Sequence, residues 1–504
     1  MYGDELTLAY DAYSILKTGY DSTGKFLPLF FATGGGRPAG YIYATIPLVA
    51  FLGPTALAAR FVSILSGVGV VLLLYLICSQ LFSKKIGIFA SFLASITPWE
   101  LSLSRGAFES HFALFLSLLG LYFFLKSQAK TKWLFVSGLS FALSMQTYST
   151  YVLVIPLFVL LLLFYQGKLK SILSNFGIWL FLALIVSSAL FSIYISINRG
   201  DKDRFSNLLI FNQPELQKDI GVKINQERAY TLLKQDAAKK FHNRISENLG
   251  VLLDNYTRYY SVGFLFLKGD MSPRHNPASA GELYWFCLPL IILGLIYLYQ
   301  KNQKIFYFLL IWVVLAPLAA VLVGSPHALR SSFLLPPLLI IAACGSAKAK
   351  KIKFILILML IIQLPVFLER FYLLSPNLNA KFWSYSARAA AEVALTEKYK
   401  FDFVILSTSI PDMEYAYPVY GKIDPKDFAY QREHKSYFGE YAFSKYGNVY
   451  IGSMPSGAIS RVVTSLKGSV LYLGPIEDLG KVPNEKVQRD EAKNPLYVIS
   501  TKEK

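Results

Sequence analysis

Charge is scarce in this 504-residue chain. Only 16% of residues are Asp, Glu, Lys or Arg, against the ~25% usual in a globular protein. Apolar residues make up 54% and mean hydropathy is +0.42. They fall in long runs rather than at a period of 2 or 3.6, which excludes soluble, disordered and fibrous classes. Cysteine is nearly absent too. Cys78, Cys287 and Cys344 all lie inside apolar runs, so no disulfide framework or zinc site is indicated. The five histidines show no metal-ligand spacing along the chain. Acid is the rarer sign of charge, 32 Asp and Glu against 50 Lys and Arg. An excess of +18 could serve nucleic acid, but in a chain this apolar it reflects Lys and Arg collecting in cytoplasmic loops. The sequence reads as a polytopic α-helical membrane protein.

A helix needs about 20 mostly apolar residues to cross the bilayer. Ten runs are candidate spans: 56–82, 86–103, 108–125, 133–149, 151–165, 172–197, 283–299, 305–324, 328–346 and 354–373. The second is short and carries Trp99 and Glu100, and the fifth follows the fourth almost without a loop. Alternate loops hold Lys84 and Lys85; Lys126, Lys130 and Lys132; Lys168 and Lys170; Lys301 and Lys304; and Lys348, Lys350, Lys351 and Lys353, with no acid among them. The positive-inside rule makes those loops cytoplasmic and places 1–55, 198–282 and 374–504 outside. No apolar segment or signal peptide precedes 1–55 to carry it across. A first helix missing through truncation is expected, in preference to a tail that translocates unaided.

The sequence divides into a membrane domain, 1–373, and a soluble α/β domain, 374–504. In the latter, Ala387–Lys400 suggests a helix, and Phe403–Ser407, Val449–Ile451, Val470–Leu473 and Leu496–Ile499 suggest strands. No catalytic constellation is visible there. Tyr41–Leu52 suits an interfacial segment, and 213–250 an amphipathic helix. The stretch Gly34-Gly35-Gly36-Arg37-Pro38 could be a phosphate cradle; with no strand before it and Pro38 at its end, a flexible turn is expected.

Ionisable residues at the membrane edge are costly unless paired or functional. On the outer side four clusters stand out: Asp4-Glu5 with Asp11 and Asp21; Arg105 and Glu109 with His111; Arg258 with Arg274-His275; and Ser325-Pro326-His327 with Arg330. Each has a plain alternative. An acidic pair near a chain end is ordinarily a solvated tip. Glu109 should open the third helix, where an acid favours the dipole. Arg258 could snorkel to the interface. His327 and Arg330 should open the ninth helix one turn apart, on one face. Together, acids early and cations late suit a general base facing a phosphate-bearing leaving group.

Read in order, the clusters resemble a family. The run GDELTLAYDAYSILKTGYDSTGKFLPLFF is similar to the first external loop of polyprenyl-phosphate-dependent glycosyltransferases of the GT-C fold, the protein O-mannosyltransferase group (glycosyltransferase family 39). ITPWELSLSRGAFESHF resembles that group's second external loop, and YSVGFLFLKGDMSPRHNPASAGELYW and SPHALRSSFLLPPLL resemble later segments. The resemblance spans most of 1–375. It implies a GT-C-like fold of about ten helices with one more before the acidic pair, and a C-terminal soluble domain.

It also implies roles. Asp4-Glu5 matches the family's acidic pair, with Asp4 as catalytic base; Glu109 stands where the family commonly has Asp. The expected function is inverting transfer of a sugar, mannose being the family's usual association, from a polyprenyl-phosphate carrier to a protein, lipid or polysaccharide acceptor outside the plasma membrane. Arg105, Arg258, Arg274, His275, His327 and Arg330 would bind the donor phosphate. A divalent cation, held by Asp4 and Glu109, is a possible cofactor. The competing function is a lipid-linked glycan transporter or flippase. It calls for ionisable residues deep in several helices and for internal repeats; there are almost none of the former at mid-depth, and no repeat is visible.

Overall fold

The computed structural model describes residues 1–167, 176–198 and 209–503. Lys168, Lys170, the start of the sixth candidate span and the first part of 198–282 lie outside the described residues. The chain divides into two compact units, Ser63–Glu369 and Met1–Val62 with Arg370–Lys504. The sequence placed the boundary near 373; the structure also groups the first 62 residues with the C-terminal part.

Among the described residues, each candidate span overlaps a helix. Ala56–Leu81, Glu109–Lys126, Phe176–Asn198, Gln303–Val321 and Ala349–Leu378 are long and apolar enough to cross a membrane, and Trp133–Met145, Tyr151–Tyr165, Cys287–Lys301 and Ser332–Gly345 are shorter apolar helices. The second run is a bent pair, Lys84–Ile96 and Pro98–Arg105, meeting at 56°. Pro98 explains the bend. A residue before proline is pushed out of the helical region, and Thr97 is extended (φ −63°, ψ 134°). Proline then suits the first position of the next helix. The helices Cys287–Lys301 and Leu335–Gly345 approach through glycine: a Cβ on Gly294 would lie 1.9 Å from the Ile341 carbonyl oxygen, and one on Gly345 2.0 Å from that of Leu290. Small residues allow such contacts between apolar helices, where dispersion rather than water exclusion drives association.

In the other unit, Gly3–Thr18 is a helix with Asp4 and Glu5 in its first turn and Gly19 in the left-handed region (φ 77°) ending it. Tyr10 anchors it, donating to the Ile423 carbonyl at 3.1 Å and packing on Phe428 with ring centres 4.7 Å apart. The seven-stranded sheet runs Ser436–Phe438, Tyr441–Tyr446, Val449–Gly452, Phe403–Ser407, Val470–Gly474, Pro495–Lys502, Glu485–Arg489. Its three central strands are parallel and its flanks antiparallel. All four expected strands are present, and the expected helix is Tyr385–Glu397 continued by a 3₁₀ turn to Lys400. Segment 213–250 forms several helices, Pro214–Tyr230, Gln235–Phe241 and the start of Arg244–Arg258. Thus the chain is a polytopic helical membrane protein with a C-terminal α/β domain.

Candidate active site

In the unit Ser63–Glu369, three segments that carry the ordered clusters are tied together by hydrogen bonds. Trp99 donates its backbone N–H to the Glu282 carbonyl at 3.1 Å and its indole N–H to the Ala328 carbonyl at 3.2 Å. Asp270 joins the other two: its Oδ2 accepts from the Ala328 N–H at 2.7 Å and lies 3.1 Å from His275 Nδ1 and 3.7 Å from His327 Nδ1. The two imidazoles sit with centres 4.5 Å apart, and Phe108 packs edge-on against His275 at 5.7 Å. The turn that holds Arg105 and Glu109 therefore adjoins this cluster.

The loop bearing Asp270 is built from within. The Asn276 amide donates to the carbonyls of Lys268 at 2.6 Å and Ala280 at 2.8 Å, and Glu282 Oε1 accepts from the Asp270 N–H at 2.9 Å. Electrostatics follow from burial and neighbours. Burial alone would raise the Asp270 pKa, but the hydrogen bond and charge of His275, the charge of His327 and the Ser272 N–H outweigh it and hold it at about 2. Burial, with His275 and Arg330 nearby, pushes His327 down to about 3. Burial, reinforced by Asp270, raises Glu282 well above the usual carboxylate range.

The expected site residues are placed as follows. Glu109 opens the helix Glu109–Lys126 as expected, and Arg105 closes Pro98–Arg105. Arg274, His275, His327 and Arg330 are all partly buried in the two loops. His327 and Arg330 do not open a helix, contrary to expectation: they precede the 3₁₀ turn Ser332–Leu334, and regular helix begins only at Leu335, where Pro336 suits the start. Arg258 pairs with Asp254 at 2.7 Å, both more than half exposed, so the pair is worth little. His111 is buried, with Nδ1 3.0 Å from Ser63 Oγ and Nε2 2.8 Å from Glu100 Oε1. Ser63 in turn donates to the Leu103 carbonyl at 2.9 Å, so the imidazole is held at both ring nitrogens.

In the other unit, Asp4 and Glu5 differ sharply. Glu5 is fully buried and gripped by Arg60 through Nε–Oε1 at 2.8 Å and Nη2–Oε2 at 2.6 Å, while Arg60 also stacks 5.0 Å over Trp383. Asp4 keeps 47% of its side chain exposed and contacts buried Arg37 at 3.2 Å. Arg37 is further fixed by the Asp4 carbonyl at 3.0 Å and Thr7 Oγ1 at 3.1 Å. Asp11 is buried and accepts from the Ser22 N–H at 2.9 Å and from the Thr33 hydroxyl; burial raises its pKa against those hydrogen bonds. Asp21 closes a turn on Thr23 and Lys25. Neither is a solvated acid.

Sequence reasoning missed Arg37 and Arg60 as partners, and Asp270 as the hub of its cluster. The stretch around Arg37 is a turn between two paired two-residue strands, Phe30–Phe31 and Arg37–Pro38, so a strand does precede it, contrary to expectation; two phenylalanines alone gave no strand signal. Gly34 is what admits Arg37. Its φ is +59°, and a Cβ there would fall 1.4 Å from Arg37 Nη2 and 2.9 Å from Asp4 Oδ1. Gly34→Ala is therefore expected to displace Arg37, to cost about 1 kcal/mol or more from the positive φ alone, and to lower turnover beyond any loss of folded protein. Transfer rate per folded molecule, normalised by a thermal melt, checks this.

Among the described residues, the His–carboxylate groups close enough to hold a metal are Asp270–His275–His327 and Glu227–His242–Glu247. Neither includes Asp4 or Glu109.

Residues 38–195 match the family model described as dolichyl-phosphate-mannose-protein mannosyltransferase. As a whole the sequence matches no curated protein. The structure is similar to that of ArnT from Cupriavidus metallidurans bound to undecaprenyl phosphate, at 13% identity and a TM-score of 0.54, over 98% of this chain and 93% of that one. It is also similar to the archaeal oligosaccharyltransferase AglB from Archaeoglobus fulgidus in complex with an inhibitory peptide and a dolichol-phosphate, at 12% identity and a TM-score of 0.44. That match takes in 83% of this chain, which spans 59% of the AglB chain.

Proposed function

We propose that this chain, GT-C-like in fold and resembling the polyprenyl-phosphate-dependent enzymes of that fold, is an inverting glycosyltransferase. It moves a sugar, of the hexose or mannose class, from a polyprenyl-phosphate carrier to a protein, lipid or polysaccharide acceptor. The observation that carries this reading is Asp4: a half-exposed carboxylate held by Arg37 in the first turn of a helix, next to a carboxylate that is sealed away. An acceptor hydroxyl or amine attacks the anomeric carbon, the carbon–oxygen bond to the carrier phosphate breaks, and Asp4 takes the acceptor's proton. Arg274 and Arg330 stabilise the departing phosphate, since guanidinium can grip two of its oxygens. Arg105 and Glu109 adjoin that cluster. Arg258 is left to its ion pair with Asp254. Glu5 holds the helix rather than moving a proton. The two roles fall in different units, and each is tested by its own substitutions.

The phosphate assignment predicts a graded result. A charge-assisted contact is worth ~1.5–3 kcal/mol, so Arg330→Ala should raise the donor concentration needed for half-maximal rate roughly 10- to 100-fold. Arg330→Lys should recover part of this, having lost the bidentate grip, and Lys350→Ala should change nothing. Unchanged donor dependence in both Arg330→Ala and Arg274→Ala would remove this phosphate site.

In this reading the active-site loops and 374–504 are extracytoplasmic in the plasma membrane. The helices Lys84–Ile96 and Glu109–Lys126 support it, carrying lysine at the ends away from Trp99 and Phe108. Cysteines at Met271 and Lys350 should label with an impermeant reagent from opposite faces. Labelling of both from one face would reject the sidedness.

A further inference from the structure

We propose that Asp270, His275 and His327 bind one divalent cation of the zinc type, clamping the loop 268–282 to the loop 325–331. The inference does not rest on glycosyl transfer, and its test needs no sugar donor. The three potential ligand atoms all lie within 4.8 Å of one another, with His275 Nδ1 3.1 Å and His327 Nδ1 3.7 Å from Asp270 Oδ2. Ligands ~2.0–2.2 Å from a tetrahedral zinc stand roughly 3.3–3.6 Å apart, so little movement is needed.

The second observation is independent of that spacing. His327 Nδ1 is buried with no hydrogen-bond partner, whereas buried polar atoms nearly always have one. A buried ring nitrogen turned toward a carboxylate 3.7 Å away, too far to bond it, is placed to serve as a ligand. The surroundings are those of a metal site as well. Asp270 Oδ1 accepts from the Ser272 N–H at 2.8 Å and its own N–H donates to Glu282, so the ligating carboxylate is fixed in orientation.

Donor chemistry selects the metal. Two imidazoles and one carboxylate suit zinc and neighbouring transition metals; magnesium and calcium prefer oxygen alone. Three protein ligands leave a fourth position open to water or an anionic oxygen. Binding requires His275 Nδ1 to present its lone pair to the metal, with any ring proton carried on Nε2. The other His–carboxylate group is a built-in control: Lys223 already sits 2.7 Å from Glu247, occupying with its ammonium the place a cation would take.

The test uses the full chain in detergent, stripped with a chelator and titrated with Zn²⁺ and with Co²⁺. One equivalent per chain is expected, with the intense visible absorption of tetrahedral Co²⁺ and a raised melting temperature. His275→Ala and His327→Ala should each weaken binding at least 10-fold and abolish the melting shift, while His242→Ala should change neither. Absence of stoichiometric binding, survival of binding in both loop variants, or its loss in His242→Ala would overturn the proposal. Should the alanine variants fail to fold, the wild-type chain still decides. Zn²⁺ should protect His275 and His327 from diethylpyrocarbonate, read by mass spectrometry, and equal modification with and without Zn²⁺ would reject the site.

Discussion

Asp4→Asn is expected to lower sugar transfer about 10²- to 10⁴-fold, the usual worth of a positioned general base, with the protein folded and donor binding nearly unchanged. Asparagine matches aspartate in size and keeps an oxygen for Arg37 but cannot take a proton. Arg37 loses little by the exchange, because the Asp4 carbonyl and Thr7 Oγ1 still hold it. The effect should therefore appear in turnover and not in a thermal melt or in donor affinity. Measuring all three on one preparation separates the outcomes. Near-normal turnover in Asp4→Asn would remove Asp4 from the chemistry, and a collapsed melt would make the residue structural.

The adjacent position should behave in the opposite way. Glu5 is fully buried and both of its oxygens are bound by Arg60. Truncating one member of a buried ion pair strands the other charge, at a cost of about 3–5 kcal/mol. Glu5→Ala is thus expected to lose that much stability, seen as a lower melting temperature and a poor yield of monodisperse protein. Replacing the pair together, Glu5→Leu with Arg60→Met, should recover much of the loss, since apolar pairs of similar volume can stand in for buried charges. A Glu5→Ala variant that melts with the parent would show that the pair contributes nothing to folding.

These two residues illustrate what the sequence could and could not convey. Apolar runs dictate helices because a buried backbone must bond to itself, so the helices were legible. Among the described residues only five of them, or six with the bent pair, are long and apolar enough to cross a membrane. The bend at Thr97 was not expected, although Pro98 carries its signal. The strands at Phe403–Ser407 and Val470–Gly474 were legible for the same kind of local reason, β-branched and aromatic residues between turns. Asp4 and Glu5 were visible as an acidic pair, yet nothing local separates a half-exposed carboxylate from a sealed one. That difference is made by Arg60, 55 residues away, and by Arg37, 33 residues away. Arg37 was seen only as part of a glycine-rich turn. The Asp270 cluster was hidden likewise: Asp270 meets Ala328 across 58 residues, so histidines without ligand spacing along the chain nonetheless converge. His327 and Arg330 were placed on a helix one turn too early, since the apolar run continues through residues that form a turn.

The central claim is that the sugar leaves its carrier here, and one measurement addresses it directly. Membranes containing the wild-type chain or Asp4→Asn are given a polyprenyl-phosphate sugar with distinct isotopes in the sugar and in the lipid, and mass spectrometry follows both labels. The predicted result is that wild-type membranes separate the labels, yielding free polyprenyl phosphate and a glycosylated acceptor in equal amount, while Asp4→Asn membranes leave the donor whole. A donor that stays intact with the wild-type chain and merely changes leaflet would contradict transfer and establish transport in its place.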